Sequence, residues 1–131
     1  MFGHKKEHKE AIRSGEYYAV ASIGFTTAAI IQPGLQGVID LVANRMVIHR
    51  VWDKVVGLAA AYLWALCKVR YIWGETMSEA AYAYLKKRGM TVEFDTLVPQ
   101  ILRKDGAGIC PMEEKALSAK DAVAFYRMIA P

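Results

Sequence analysis

Residues 55–67 carry no charged side chain and lie between Lys54 and Lys68, and this one stretch restricts what the chain can become. As a helix it would be only about 20 Å long, well short of the roughly 30 Å hydrocarbon core of a bilayer. It therefore reads as a helix buried inside the protein and not as a membrane span. Read from Asp53 to Leu66, the helix has no polar face beyond its first turn. Val55, Val56, Leu58, Ala59, Ala61, Leu63, Trp64 and Leu66 fall on every side of it, so it has to be covered on most sides. Gly57, Ala59, Ala60 and Ala61 are small enough to let it approach a sheet closely. With 131 residues, 54% of them hydrophobic, the chain can remove roughly two-thirds of its surface from water. That composition excludes a disordered chain and fits one domain over residues 1–131.

The flanking pattern supplies the sheet. Residues 17–23 and 26–31 are β-rich runs separated by Gly24-Phe25, and glycine in the first position suits a two-residue type II′ turn, so these strands are expected to pair antiparallel. Pro33-Gly34 breaks the chain, and Leu35, Val38, Ile39 and Val42 then recur at helical spacing as far as Asn44. Beyond it, strand and helix alternate. Residues 46–51, 69–73 and 91–94 read as strands, 53–66 and 78–88 as helices, which makes two βαβ units and three parallel strands. The second of these helices opens with Thr76 and Glu79 at capping-box spacing and closes at Gly89 behind Lys86, Lys87 and Arg88. A last helix is expected from Ser118, with Asp121 three residues on and Ala122, Phe125, Tyr126 and Ile129 as its core face. The expected fold is a three-layer αβα sandwich with one hairpin and three parallel strands.

Charge narrows the function classes. Half of the net +4 belongs to the first thirteen residues, where Lys5, Lys6, Lys9 and Arg13 face Glu7 and Glu10; residues 1–16 read as a basic arm or short helix closed by Ser14-Gly15. The remainder is nearly balanced, so there is no specific nucleic-acid signal. No apolar stretch follows the first charges, so neither a secretory signal nor a membrane anchor is visible. Cys67 and Cys110 lack the spacing of a disulfide framework, which fits a cytoplasmic setting.

Ligands of sheets with parallel strands collect beyond the strands' carboxyl ends, where helix N-termini expose amides. That rule selects Asp53 and Lys54 at the first corner, and Thr76 and Ser78 at the second. Asp53, Thr76 and Ser78 serve equally well as N-caps. Lys54 is harder to place, because a cation at a helix N-terminus opposes the dipole; an anionic ligand or a neighbouring carboxylate would account for it. Residues 103–114 are too rich in glycine and charge for a core element. They fail as a dinucleotide fingerprint because Pro111 occupies the third glycine's place, and they make a poor zinc site because no second cysteine pair accompanies Cys110. Cys110 is a candidate catalytic thiol if a cation or helix end activates it, and otherwise a loop cysteine in a pocket wall. Cys67 reads as core. His4 and His8 have helical spacing without a third partner and read as solvated; His49 reads as a core histidine on a strand face with Val47 and Val51. Trp64, Trp73, Tyr82 and Tyr84 suit packing or an oligomer face.

Two strings carry a resemblance. Asp53-Lys54-Val55-Val56-Gly57-Leu58-Ala59-Ala60-Ala61 and Cys110-Pro111-Met112-Glu113, within the order β-β-α-β-α-β-α-β plus a terminal helix, resemble domain-of-unknown-function family 1893, small proteins placed in the cytidine deaminase-like superfamily. The likeness runs from about Tyr17 to the C-terminus and implies a five-stranded mixed sheet in the order 2-1-3-4-5. It implies no established activity. The family pattern often has lysine after the glycine of the first string, where this chain has Leu58. Zinc-dependent deaminases place a His or Cys and a Glu at one helix start and Pro-Cys-x-x-Cys at the next. Here those corners read Asp53-Lys54-Val55-Val56 and Thr76-Met77-Ser78-Glu79. No zinc, no other cofactor and no zinc-dependent deamination are expected.

The first functional expectation is a pocket for a small anionic molecule or nucleotide, lined by Asp53, Lys54, Thr76, Ser78, Cys110, Met112 and Glu113. An alternative is a thiol-dependent enzyme or sulfur carrier using Cys110, with Lys54 lowering its pKa and Glu113 or Asp53 moving protons. A third is a structural or partner-binding module, with a homodimer left open and no membrane partner.

Overall fold

The charge-free stretch divides between a strand and a helix. The computed structural model describes residues 3–130, with side chains from residue 6 onward. Its elements are α1 (Gly3–Arg13), β1 (Ala19–Ile23), β2 (Thr26–Ile30), α2 (Gln36–Ala43), β3 (Arg50–Val56), α3 (Leu58–Leu66), β4 (Tyr71–Ser78), α4 (Glu79–Lys87), β5 (Thr91–Val98), α5 (Pro111–Ser118) and α6 (Ala122–Ile129). The five strands form one mixed sheet in the order β2-β1-β3-β4-β5. β1 is antiparallel to β2 and β3, whereas β3, β4 and β5 are parallel. Gly24, at φ 60, supplies the left-handed residue at the tip of the β1–β2 hairpin, where Ile23 pairs with Thr26.

Several boundaries differ from expectation, and one cause explains the parallel strands. β3 and β4 start later and run further than residues 46–51 and 69–73, and β5 also runs past residue 94, carrying polar residues inside the sheet. Asp53 pairs with Gly74 and Val55 with Thr76, which sets Lys54 level with Glu75. The Lys54 ammonium donates to the Glu75 carboxylate at 2.9 Å, so the charges that suggested strand ends satisfy each other across neighbouring strands. In consequence Asp53 does not open α3; Gly57 is its N-cap. Ser78, not Thr76, caps α4, its hydroxyl accepting the Ala81 N–H at 3.1 Å. Asp121 caps α6 by accepting from Ala124 N–H at 2.8 Å, and Ser118 ends α5, an element expected to be loop. His49 precedes β3 and is exposed, so it is not a core histidine.

α3 is buried from Leu58 to Ala65, as its lack of a polar face requires. α2, α4, α5 and α6 pack around it, and its core includes Val51, Ile72, Leu85 and Phe125, with Cys67 also buried. The sheet's other face is covered by α1. Ile12 of that helix sits with Val20, Trp52, Tyr71 and Trp73 in a separate apolar cluster. Three layers result. α1 is therefore docked and not a free basic arm. Lys9 and Arg13 lie over the Trp73 ring at 5.6 and 5.3 Å, Arg13 makes two hydrogen bonds to Asp95 at 2.7 and 2.8 Å, and the Lys54 ammonium also donates to the Ile12 carbonyl at 2.9 Å. His8 packs on Trp52 with ring centres 4.6 Å apart; the His4 side chain lies outside the described part. Trp64 and Trp73 are both buried. Tyr84 packs edge-on against Tyr62 and Tyr82 against Phe94, so these aromatics serve packing. Among the described residues no helix is long and apolar enough to cross a membrane.

The docking of α1 rests on apolar burial more than on its ion pairs, because Arg13 and Asp95 remain partly open to water. Ile12→Ala, at a site with 0% exposure, should lower unfolding free energy by about 2–4 kcal/mol. Arg13→Gln should cost below about 1 kcal/mol. Urea denaturation of both variants checks the ranking.

Candidate functional site

A recess of about 360 Å³ opens beyond the carboxyl end of β3. Three helix N-termini contribute to its wall: Leu35, the N-cap of α2; Gly57, the N-cap of α3; and Cys110, the N-cap of α5. None of these three residues makes a side-chain capping bond, whereas α4 and α6, which do not border the recess, are capped by Ser78 and Asp121. Val55, Ala59, Ala60, Ile101 and Met112 supply apolar wall, and Asp53, Lys104 and Glu113 supply charge.

Glu113 closes the α3 end from far along the chain. Its carboxylate accepts the N–H groups of Leu58 and Ala59, each at 2.7 Å. With 6% exposure, it replaces the water that this buried helix end cannot reach. Burial pushes its pKa up, while the Ala59 and Leu58 amides pull it back. Gly57 makes room: a Cβ there would stand 2.3 Å from Glu113 Oε1. The carboxylate cannot yield without leaving two amides unpaired.

Asp53 stands on the recess wall and accepts the Trp64 indole N–H at 2.8 Å. Burial pushes its pKa from 3.8 to about 7, against the Trp64 bond and the amides of Lys54 and Val55. Its carboxyl thus titrates near neutrality. Cys110 also lines the recess, and its amide donates to the Ile101 carbonyl at 3.1 Å. The glycine-rich segment before it is a small turn: Leu102 pairs with Ile109, and Asp105 accepts from the Ala107 amide at 2.9 Å. Cys67 is buried elsewhere, and burial raises its thiol to about 11.

Of the residues selected from sequence, Asp53, Lys54, Cys110, Met112 and Glu113 border this recess; Thr76 and Ser78 do not. Lys54 contributes wall, but its ammonium is held by Glu75 and Ile12. A neighbouring carboxylate is therefore what it was waiting for. Sequence reading did not select Leu35, Gly34, Ile101 or Lys104. The Pro33-Gly34 break and the start of α2 were visible, but nothing local showed that they return to the strand ends. Among the described residues no group of three or more His, Cys, Asp or Glu is placed to hold a metal ion.

The family model for a domain of unknown function, DUF1893 (TM1506), matches residues 7–130. The chain belongs to the DUF1893 family. It is similar to the crystal structure of a DUF1893 family protein (TM1506) from Thermotoga maritima, with 25% sequence identity and a TM-score of 0.83, covering 95% of this chain and 86% of that one. No curated protein matches the chain. In this DUF1893 chain, Gly57 belongs to one of the two strings and Glu113 to the other, so the residues that carried the resemblance meet at the α3 N-terminus.

Two outcomes follow from this geometry. Glu113→Ala should destabilise by about 1–3 kcal/mol, the cost of stranding buried donors. Gly57→Ala should be similarly damaging alone but add little in the Glu113→Ala background, and a double-mutant cycle by urea denaturation reads the coupling. For pH, a carboxyl raised in the folded state stabilises most below its unfolded value and loses that contribution as pH rises through the folded one. Stability should therefore fall between pH 3.8 and about 7, by at most about 1.4 kcal/mol per pH unit from this group. Glu113 acts in the same direction. Asp95, held low first by its bond to Arg13, acts oppositely toward acid. Asp53→Asn should flatten the fall; urea midpoints across that range test the sign.

Proposed function

We propose that this chain is a small-molecule binding protein whose ligand occupies the recess and presents an anionic or hydrogen-bond-accepting group to the N-termini of α2 and α5. The observation that carries this reading is the contrast in capping: of the three helices bordering the recess, α2 and α5 have no side-chain cap, whereas the two away from it are capped by their own Ser78 and Asp121. Glu113 already serves α3, which leaves the other two ends for a ligand. Lys104 supplies the cation that Lys54 does not. The apolar wall suits an organic body, and the volume falls in the usual range for small-molecule sites. A nucleotide or a small carboxylate meets these requirements. The sheet order and the helices on both faces support a deaminase-like ancestry for the recess, and the two free thiols suit a reducing, cytoplasmic setting.

A second reading is favoured by one observation: Cys110 shares the recess with Asp53, a group able to take or give a proton near neutral pH. Thiol chemistry on a bound acyl or sulfur-bearing compound would use both.

Thermal-shift screening with small carboxylates and nucleoside monophosphates tests the binding role. At least one compound should raise Tm, and the rise should disappear in Val55→Trp, which fills the mouth from a position 44% exposed, and shrink in Lys104→Glu. A blank screen, or hits indifferent to both changes, overturns it. Turnover of a hit that is lost in Cys110→Ser would establish the thiol reading.

A further inference from the structure

The opposite edge of the sheet carries a cluster of cations that the recess does not use. Arg50 begins β3, Arg70 directly precedes β4, and Arg70's carbonyl accepts the amide of Thr91, which begins β5. Three helices end on this side. In each, the chain closes with the same pair of backbone bonds: Arg45 N–H to Val42 and Met46 N–H to Leu41 after α2, Lys68 to Ala65 and Val69 to Trp64 after α3, and Gly89 to Lys86 and Met90 to Leu85 after α4. This closure puts one residue in the left-handed region, where glycine or asparagine normally stands. Gly89 obeys the rule at φ 80, but α2 and α3 place Arg45 and Lys68 there, at φ 55 and 65. These are the two non-glycine residues with positive φ among the described residues, and both are basic.

Helix dipoles alone do not account for this. A basic residue one or two positions earlier would answer the helix end without the steric cost of a left-handed side chain, and Arg70 stands at a strand start with no helix end of its own. The sheet's acids are committed elsewhere: Glu75, Glu93 and Asp95 pair with Lys54, Lys9 and Arg13 around α1, and Asp53 accepts from the Trp64 indole. Among the described residues, Arg45, Lys68, Arg70 and Arg88 are exposed and have no carboxylate within ion-pair distance, although Arg88 lies over the Tyr84 ring at 5.6 Å. Lys68, Arg70 and Arg88 line a recess of about 580 Å³. Lys68 also borders an adjoining recess of about 260 Å³ with Arg45, Val47 and Tyr126.

We propose that this edge binds an organic polyphosphate, with its phosphates on Lys68, Arg70 and Arg88 and its organic part against Val47 and Tyr126. Guanidinium groups match phosphate oxygens in pairs. Cations spread over two adjoining recesses that share Lys68 fit a chain of phosphates better than a single one. The concave surface between helix ends favours a small ligand over a nucleic-acid strand. Nothing in this proposal depends on the recess beyond β3.

Titration calorimetry of the full chain with tripolyphosphate and with ATP, at low ionic strength, tests it. Both should bind, weakening as salt is raised, with ATP the tighter. Lys68→Gly, Arg70→Gln and Arg88→Gln should each weaken binding at least fivefold. Lys68→Gly should also raise Tm of the free protein, since it relieves the left-handed side chain, so loss of binding cannot be put down to misfolding. No binding at millimolar concentration overturns the proposal, as does wild-type affinity in Lys68→Gly and Arg70→Gln. Tighter binding to a single-stranded oligonucleotide or to phosphatidylserine vesicles overturns the choice of a small ligand. Val55→Trp should leave tripolyphosphate binding unchanged; if it abolishes binding, the anion belongs to the recess and this proposal falls while the other stands.

Discussion

Two hydrogen bonds, accepted by the Glu113 carboxylate from the first amides of α3, hold the recess end of this molecule together. A helix buried on all sides cannot leave its first amides to water, and Gly57 has no side chain to offer them. Glu113, 55 positions from Leu58 along the chain, therefore supplies the acceptor for the Leu58 amide. That requirement fixes where α5 must lie, and with it the position of Cys110 and Met112 over the strand ends. Gly57 and Glu113 are two halves of one device, since any side chain at the first would displace the second.

Charge is partitioned between the ends and faces of the sheet. On the α1 face, cations and acids neutralise one another over a floor of tryptophan and tyrosine, so a segment that looks like a loose basic arm becomes a layer of the fold. The Lys54–Glu75 pair belongs to this system, although its backbone reaches the recess. On the edge where the parallel strands begin, no acid among the described residues answers Arg45, Lys68, Arg70 or Arg88. A modest overall charge thus conceals one neutralised face and one unneutralised edge, a distribution that net charge cannot display.

The hairpin, the three parallel strands and the burial of α3 were legible because they depend on local spacing and apolar periodicity; their union in one five-stranded sheet was implied by the family resemblance, and α5 was missed. Gly24 and Gly89 marked their turns for the same reason. Boundaries went wrong where a distant partner decides the matter. Asp53, Lys54, Glu75 and Thr76 look like the polar ends of strands until Lys54 and Glu75 are seen side by side, and shifting those ends moved the start of α3 by several residues. α5 had a local signature, with Pro111 at its first turn followed by Glu113 and Glu114, but glycine just upstream masked it. Asp53 was selected by the strand-end rule, and Cys110, Met112 and Glu113 by the unusual composition of residues 103–114; nothing local showed that the two sets are neighbours. Separating Thr76 and Ser78 from them needed the fold, because capping is decided by one hydroxyl's reach, and Ser78 had it.

Asp53 shows how structural and chemical roles can be told apart. As an acceptor for the Trp64 indole it ties β3 to α3, a task that a neutral asparagine oxygen performs without the penalty of holding a charge away from water. Aspartate is the costlier choice, and the cost appears as a carboxyl driven to about 7. Asparagine keeps the tie but gives up the proton that an aspartic acid can lend or remove, a difference felt by stability as pH changes and by any molecule seated in the recess. In the proposed binding role, the burial that makes Asp53 expensive to the fold would supply its use to a ligand, on the wall it shares with Cys110 and the N-terminal ends of α2 and α5.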